Sequence, residues 1–228
     1  ALSLKELEYL LTLTKLFKIE SLEEFTFECN IEDINQAIER GVYVILDWHS
    51  HGAHKNPEES IEFFTDMAKK YGQYDNVIFE IFNEPMNTSW LQVKEYAEQV
   101  IPEIRKYSDN LILVGTPNWS QDVLSAAKLP VEGDNIAYTL HFYAGTHKKW
   151  LRDNADKAMQ QGIALFVSEW GSVNADGNGG INKESTEEWK SDRFSKLSRL
   201  SNTTLTLPNS TEPESAFSMS ETTLIFRR

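Results

Sequence analysis

The stretch that decides the fold is NVIFEIFNEPMN, Asn76 to Asn87. Val77, Ile78, Phe79, Ile81 and Phe82 make an apolar run that reads as a buried strand, and the run ends in Asn83-Glu84-Pro85. A lone buried carboxylate is costly. A strand that hands an amide and a carboxylate to its own end therefore needs partners or a function there. Pro85 fixes the exit of the chain and helps hold Glu84 in place.

Working outward, the same beat recurs. Apolar runs at 42–49, 110–116, 135–143 and 163–170 read as further strands. Amphipathic segments at 57–72, 90–107, 120–129, 148–162 and 182–194 read as helices, with Pro102 predicting a kink or break in the second and Ser120 or Gln121 opening the third. Upstream, Ile31, Ile34 and Ile38 share one face of a helix that stops at Gly41, residues 1–20 have a crowded helical spacing, and 21–29 are ambiguous. Strands alternating with helices mean repeated βαβ units and a parallel sheet. Nearly continuous apolar strands mean a sheet covered on both faces or closed on itself. Five strands are legible; a closed barrel needs three more, an open doubly wound sheet none.

The 228 residues allow one sizeable core, with 40% apolar and 25% charged residues, an ordinary globular composition. The net charge of −13 argues against nucleic acid and anionic membranes, both of which demand a basic patch. No apolar run approaches a membrane span. The single Cys29 excludes an internal disulfide and a cysteine zinc cluster. Residues 195–228 are rich in Ser and Thr and lack a sustained period, so they are expected to be mostly disordered. The start at Ala1 without a secretory pattern reads as a fragment or mature form.

Polar and aromatic groups gather at the strand ends: Asp47-Trp48-His49, Asn83-Glu84-Pro85, Pro117-Asn118-Trp119, His141-Phe142-Tyr143 and Ser168-Glu169-Trp170. In parallel α/β folds this edge binds ligands. Glu84 and Glu169 both follow runs that would be buried. Two facing carboxyls can divide labour as acid and nucleophile or base, which is what glycoside hydrolysis requires. The plainer alternative is a helix cap at Glu84 and an ion pair at Glu169. His49, His51 and His54, with Asp47 and His141, could instead hold a divalent metal. Later strand ends offer Glu and Trp rather than further ligands, so no metal or other cofactor is expected. His49 is read as a hydrogen-bond donor in the groove, and His51 and His54 as loop residues. Trp119, following Pro and Asn, suits a stacking platform for a sugar ring, while Trp48 reads as structural.

GVYVILDWH, NVIFEIFNEP, LILVGTPNWSQDV, HFYAGTH and FVSEWGS, taken in order, resemble glycoside hydrolase family 5, specifically its endo-β-1,4-glucanases, over residues 31–189. The resemblance implies a (β/α)₈ TIM barrel, with strands 3–7 legible and strands 1, 2 and 8 not. It implies an extracellular enzyme that cleaves β-1,4-glucan by a retaining double displacement, without a metal. It implies Glu84 as acid/base, Glu169 as nucleophile, Asn83 bonding the sugar 2-hydroxyl, and His49, His141 and Tyr143 shaping the site beside a Trp119 platform. Mannan or xylan hydrolysis and a catalytically impaired carbohydrate-binding fragment are the alternatives. The domain reading is an atypical segment 1–30, a barrel domain 31–194 and a non-native tail 195–228. The family's arginine at the end of the second strand is not found, and neither is its final Asn-Trp strand. A chain truncated or frame-shifted at both ends is the expectation.

Overall fold

The computed structural model describes residues 25–29, 34–190 and 222–227. The helix read over 1–20 lies outside the described residues, as do 195–221. Nine strands alternate with helices along the described chain. They are β1 (Phe25–Cys29), β2 (Tyr43–Asp47), β3 (Val77–Glu80), β4 (Ile112–Gly115), β5 (Ile136–Thr139), β6 (Phe142–Tyr143), β7 (Leu165–Phe166), β8 (Trp170–Gly171) and β9 (Thr222–Arg227). The helices are α1 (Ile34–Glu39), α2 (Pro57–Tyr71), α3 (Trp90–Arg105), α4 (Val123–Lys128), α5 (Lys149–Gln160) and α6 (Lys183–Trp189).

Local chemistry explains most boundaries. Gly41 ends the α1 turn at φ +72, the left-handed region that glycine tolerates. Ser89 and Gln92 form a capping box that starts α3. Pro102 sits inside α3 without ending it. The expected start of α4 at Ser120 or Gln121 is corrected: Asp122 caps this helix by accepting from the Ser125 backbone N–H at 3.3 Å. Asn118, Trp119 and Ser120 are left-handed, at φ 59, 55 and 56, and cannot belong to a right-handed helix. The runs 135–143 and 163–170 each break into two short strands. Past Thr139 and Phe166 the chain leaves the main sheet, and β6 then pairs with β8 in a small sheet of its own.

The main sheet is parallel and seven-stranded, in the order β1-β9-β2-β3-β4-β5-β7. Among the described residues its edges, β1 and β7, do not pair with each other, so the barrel is open, as the missing strands predicted. Within the 195–228 segment expected to lack order, Thr222–Arg227 form β9, inserted between β1 and β2. Its register sets Arg227 beside Asp47 at the C-terminal end of the sheet. An arginine position at that edge was not legible in linear order.

Strand alternation sorts the core into two clusters. Val44, Leu46, Val77, Phe79, Ile112 and Val114 face the helices. Ile45, Ile78, Leu113, Ala137 and Phe166 pack together on the opposite face. Two residues further along four of these five strands, on that second face, stand Asp47, Glu80, Thr139 and Ser168, all buried. A polar layer therefore caps the inner apolar one, and the site lies above it.

Candidate active site

Glu84 is carried by a firmly held segment. Phe82 is buried edge-on against Tyr96, and the Tyr96 hydroxyl donates to the Ile81 carbonyl at 2.7 Å. Asn83, Glu84 and Met86 donate backbone N–H groups to the carbonyls of Trp48, Ser50 and His51, zipping this segment to the one after β2. Gly115 lets the two chains approach. A Cβ there would fall 1.9 Å from the Phe82 carbonyl oxygen and 2.8 Å from Pro85 Cδ.

The left-handed turn after β4 locks three strand ends together. The Trp119 N–H donates to the Pro85 carbonyl, Ser120 Oγ donates to the Asn83 carbonyl at 2.7 Å, and the His141 N–H donates to the Ser120 carbonyl. Consecutive left-handed conformations in non-glycine residues are strained, and such strain gathers at functional sites. Here it presents a half-exposed indole at the cleft.

Glu169 arrives between β7 and β8. The Tyr143 hydroxyl donates to its Oε1 at 2.6 Å. Gly171 makes room for that ring, since a Cβ there would lie 2.7 Å from Tyr143 Cδ1. Behind them Phe142 stacks on Trp189 of α6 at 3.8 Å between centroids.

Glu84, Glu169, His141, Tyr143 and Trp119 line one cleft of about 470 Å³, together with His51, Asn118, Gln121, His147 and Ala175. One carboxylate oxygen from each glutamate and a ring nitrogen of His141 lie within 4.8 Å of one another. His141 is buried, with Nδ1 3.0 Å from Glu84 Oε1 and Nε2 3.0 Å from Ser168 Oγ. Burial pushes Glu84 up, but the hydrogen bond to His141 and the charge of that ring outweigh it and hold the carboxyl below the usual range. Burial likewise pushes His141 down, and the bond to Glu84 with the charges of Glu80, Glu169 and Glu84 raises it above the ordinary histidine value. The pair favours carboxylate and imidazolium.

Two expected site residues stand slightly apart. Asn83 is buried, and its Nδ2 has no partner among the described residues, leaving a donor for something else. His49 does not line the cleft; its Nδ1 meets Asp47 Oδ2 at 3.1 Å. Trp48 packs on Phe63 and Phe64, as its structural reading required. Among the described residues, His49, His51 and His54 do not join Asp47 in a metal-sized cluster.

Sequence reasoning missed four contributors. His51, read as a loop residue, faces the cleft with Nδ1 3.0 Å from the Glu84 carbonyl. His147 accepts from the Tyr143 N–H at 2.8 Å through Nδ1, so its Nε2 carries the proton when the ring is neutral. Glu80 and Ser168 sit below His141. An acid at an inward-facing position of the run VIFEIF was the available signal for Glu80.

A family description, cellulase (glycosyl hydrolase family 5), matches residues 23–207, more than half of the chain. The chain belongs to glycosyl hydrolase family 5.

Family members are (β/α)₈ barrels, and the open parallel sheet is a partial version of one. The family match stops before β9. Endoglucanase Z of Dickeya dadantii (strain 3937) is 50% identical over 186 residues, covering 81% of this chain and 43% of that protein. A solved structure from Cytophaga hutchinsonii is 43% identical with a TM-score of 0.70, covering 85% of this chain and 57% of the other. The catalytic domain of Thermobifida fusca endoglucanase Cel5A, solved in complex with cellotetraose, is 34% identical with a TM-score of 0.66, covering 70% and 55%. This family 5 chain thus spans less than two thirds of the length of each.

Proposed function

We propose that the chain is a retaining, endo-acting hydrolase of β-1,4-glucan, with Glu169 as nucleophile and Glu84 as acid/base. The observation that carries the reading is the pair of carboxylate oxygens within 4.8 Å across an open cleft. Retaining enzymes hold their carboxyl groups about 5–5.5 Å apart, too close to admit a water between them and the sugar.

In the first step a Glu169 oxygen bonds the anomeric carbon while the glycosidic bond breaks, and Glu84 gives its proton to the leaving oxygen. In the second, water adds to that carbon, Glu84 takes one of its protons, and Glu169 leaves as carboxylate. Tyr143 orients Glu169 and offsets its charge. Asn83, whose Nδ2 has no partner among the described residues, is assigned to a sugar hydroxyl near Glu84, and His141 shapes the same subsite. His49 is given a supporting hydrogen bond at the rim, and Trp119 a stacked ring on the leaving-group side. The reaction draws on no cofactor, so chelators should leave it unchanged. Endoglucanase names among relatives and the cellotetraose complex support glucan over mannan or xylan. A polymeric substrate cannot cross a membrane, which supports action outside the cell; no described helix is long and apolar enough to cross one.

Turnover of carboxymethyl-cellulose or an aryl cellobioside, with Glu169→Gln as control, tests the reading. Retention is read from the anomer first released. Activity that survives Glu169→Gln defeats the nucleophile assignment. The open sheet favours one second reading, a carbohydrate-binding protein without turnover; calorimetric binding of cello-oligosaccharides with no hydrolysis would support it.

A further inference from the structure

Below the two glutamates of the cleft lies a third that the proposed reaction does not use. Glu80 is fully buried at the end of β3. Its Oε1 accepts from Thr139 Oγ1 at 2.9 Å and from Ser168 Oγ at 2.6 Å. Ser168 Oγ also meets His141 Nε2 at 3.0 Å, and His141 Nδ1 meets Glu84 Oε1 at 3.0 Å. A continuous path Glu80–Ser168–His141–Glu84 runs from the buried layer to the cleft.

Proton counting orients this path. A serine hydroxyl has one proton. When Glu80 is ionised, that proton goes to Glu80, so Ser168 Oγ must accept from His141. Nε2 therefore carries a hydrogen, and Nδ1 is the nitrogen that can exchange a proton with Glu84.

The geometry points to Glu80 as a positioning residue that acts through Ser168 to hold the Nε2 proton of His141 and to stabilise its imidazolium, and so governs when Glu84 is acid and when it is base. The inference rests on the acid/base reading of Glu84. The exchange is balanced: the O–H bond of Glu84 breaks as the Nδ1–H bond forms, and no other proton is needed. With the proton on Glu84, a leaving oxygen can receive it; with the proton on Nδ1, Glu84 is ready to accept one from water.

The charged neighbours fit this role. Asp47 is the register partner of Glu80 on β2 and bonds His49. Glu84 and Glu169 lie on the far side of His141. The β4 register partner, Leu113, is apolar. Arg227 of β9 holds the register position beside Asp47. His141 Nε2 is itself 4.0 Å from Glu80 Oε1, so the acid also acts on the ring through space. Burial, then the Asp47 charge, push the Glu80 carboxyl up to about 7, so its ionisation is finely balanced near neutrality.

The test is ¹⁵N-histidine NMR titration of His141, assigned with His141→Gln, in the parent chain, Glu80→Gln and Ser168→Ala. The pH profile of kcat/KM on an aryl cellobioside is measured beside it. In the parent, His141 should carry its proton on Nε2 when neutral. In Glu80→Gln its pKa should fall by about one unit or more, the scale of losing a close opposite charge. Ser168→Ala, the milder change if Glu80→Gln fails to fold, should lower it by less and release the tautomer. The alkaline limb of kcat/KM should move to higher pH, because Glu84 loses the imidazolium that favours its ionised form. Unchanged His141 titration and tautomer in the folded variants would overturn the inference even if rates fall. A responsive His141 in a chain that hydrolyses no glucan would uphold the relay and sink the functional reading instead.

Discussion

The Tyr143 hydroxyl donates to Glu169 Oε1 across 2.6 Å, from a ring that packs on the backbone of Gly171. A hydrogen bond to a charged group contributes about 1.5–3 kcal/mol. Tyr143→Phe should therefore lower kcat roughly 10- to 100-fold with little change in KM, read on an aryl cellobioside. An equal loss in binding of cello-oligosaccharide would place the tyrosine on substrate instead of on the nucleophile.

The two glutamates should part company by leaving group. Glu84→Gln should cost roughly 10²- to 10⁴-fold on cello-oligosaccharides, the range for general acid catalysis. The loss should shrink in the first step when an activated aryl group departs without a proton. Glu169→Gln should abolish turnover with either substrate. Rates measured on paired substrates decide the matter.

Gly115 should tolerate no side chain. A Cβ 1.9 Å from the Phe82 carbonyl oxygen must push back the segment that bears Glu84. Gly115→Ala should lose about 1–3 kcal/mol, the usual cost of overpacking, and lower kcat as well. Urea unfolding with parallel kinetics measures both.

Glu80 should tie stability to pH. Its carboxyl titrates at about 7 in the folded chain against 4.5 for the free group. Between those values the folded chain keeps a proton that the unfolded chain has released, so this group's contribution falls as pH rises through the window. Glu80→Gln removes that slope. Its stability relative to the parent should rise from acid to neutral pH, as read from urea midpoints. A constant difference would contradict the buried acid's raised pKa.

Trp119 should act on binding. With its indole half-exposed at the cleft, Trp119→Ala should weaken cello-oligosaccharides by about 0.5–1.5 kcal/mol, or roughly 2- to 10-fold in KM. Aryl cellobiosides, which carry only an aryl ring and no sugar on that side, should be less affected.

Much of this arrangement was legible along the chain. Apolar runs marked β2, β3, β4, β5 and β7, and polar endings singled out Glu84, Trp119, His141, Tyr143 and Glu169. These signals are local: an apolar run declares a covered strand, and parallel α/β architecture sends its C-terminal end to the ligand edge. The break after Thr139 was not legible because Leu140 is as apolar as the strand before it. Glu80 escaped notice, and Ser168 was seen only as a polar residue at a strand end, because each gains its meaning from neighbours on other strands. His51 was read as a loop residue and His147 was not singled out, because only the convergence of the strand ends brings them to the cleft.

The amino-acid order by itself determined which residues reach the rim of the sheet, since a two-residue alternation and a terminal proline or glycine act within one segment. Only the tertiary structure decided that Glu84 and Glu169 come within 4.8 Å, that a hidden acid stands behind His141, and that β9 lies beside β2. Those relations depend on register and stagger between strands far apart in the chain, and no single segment carries that information.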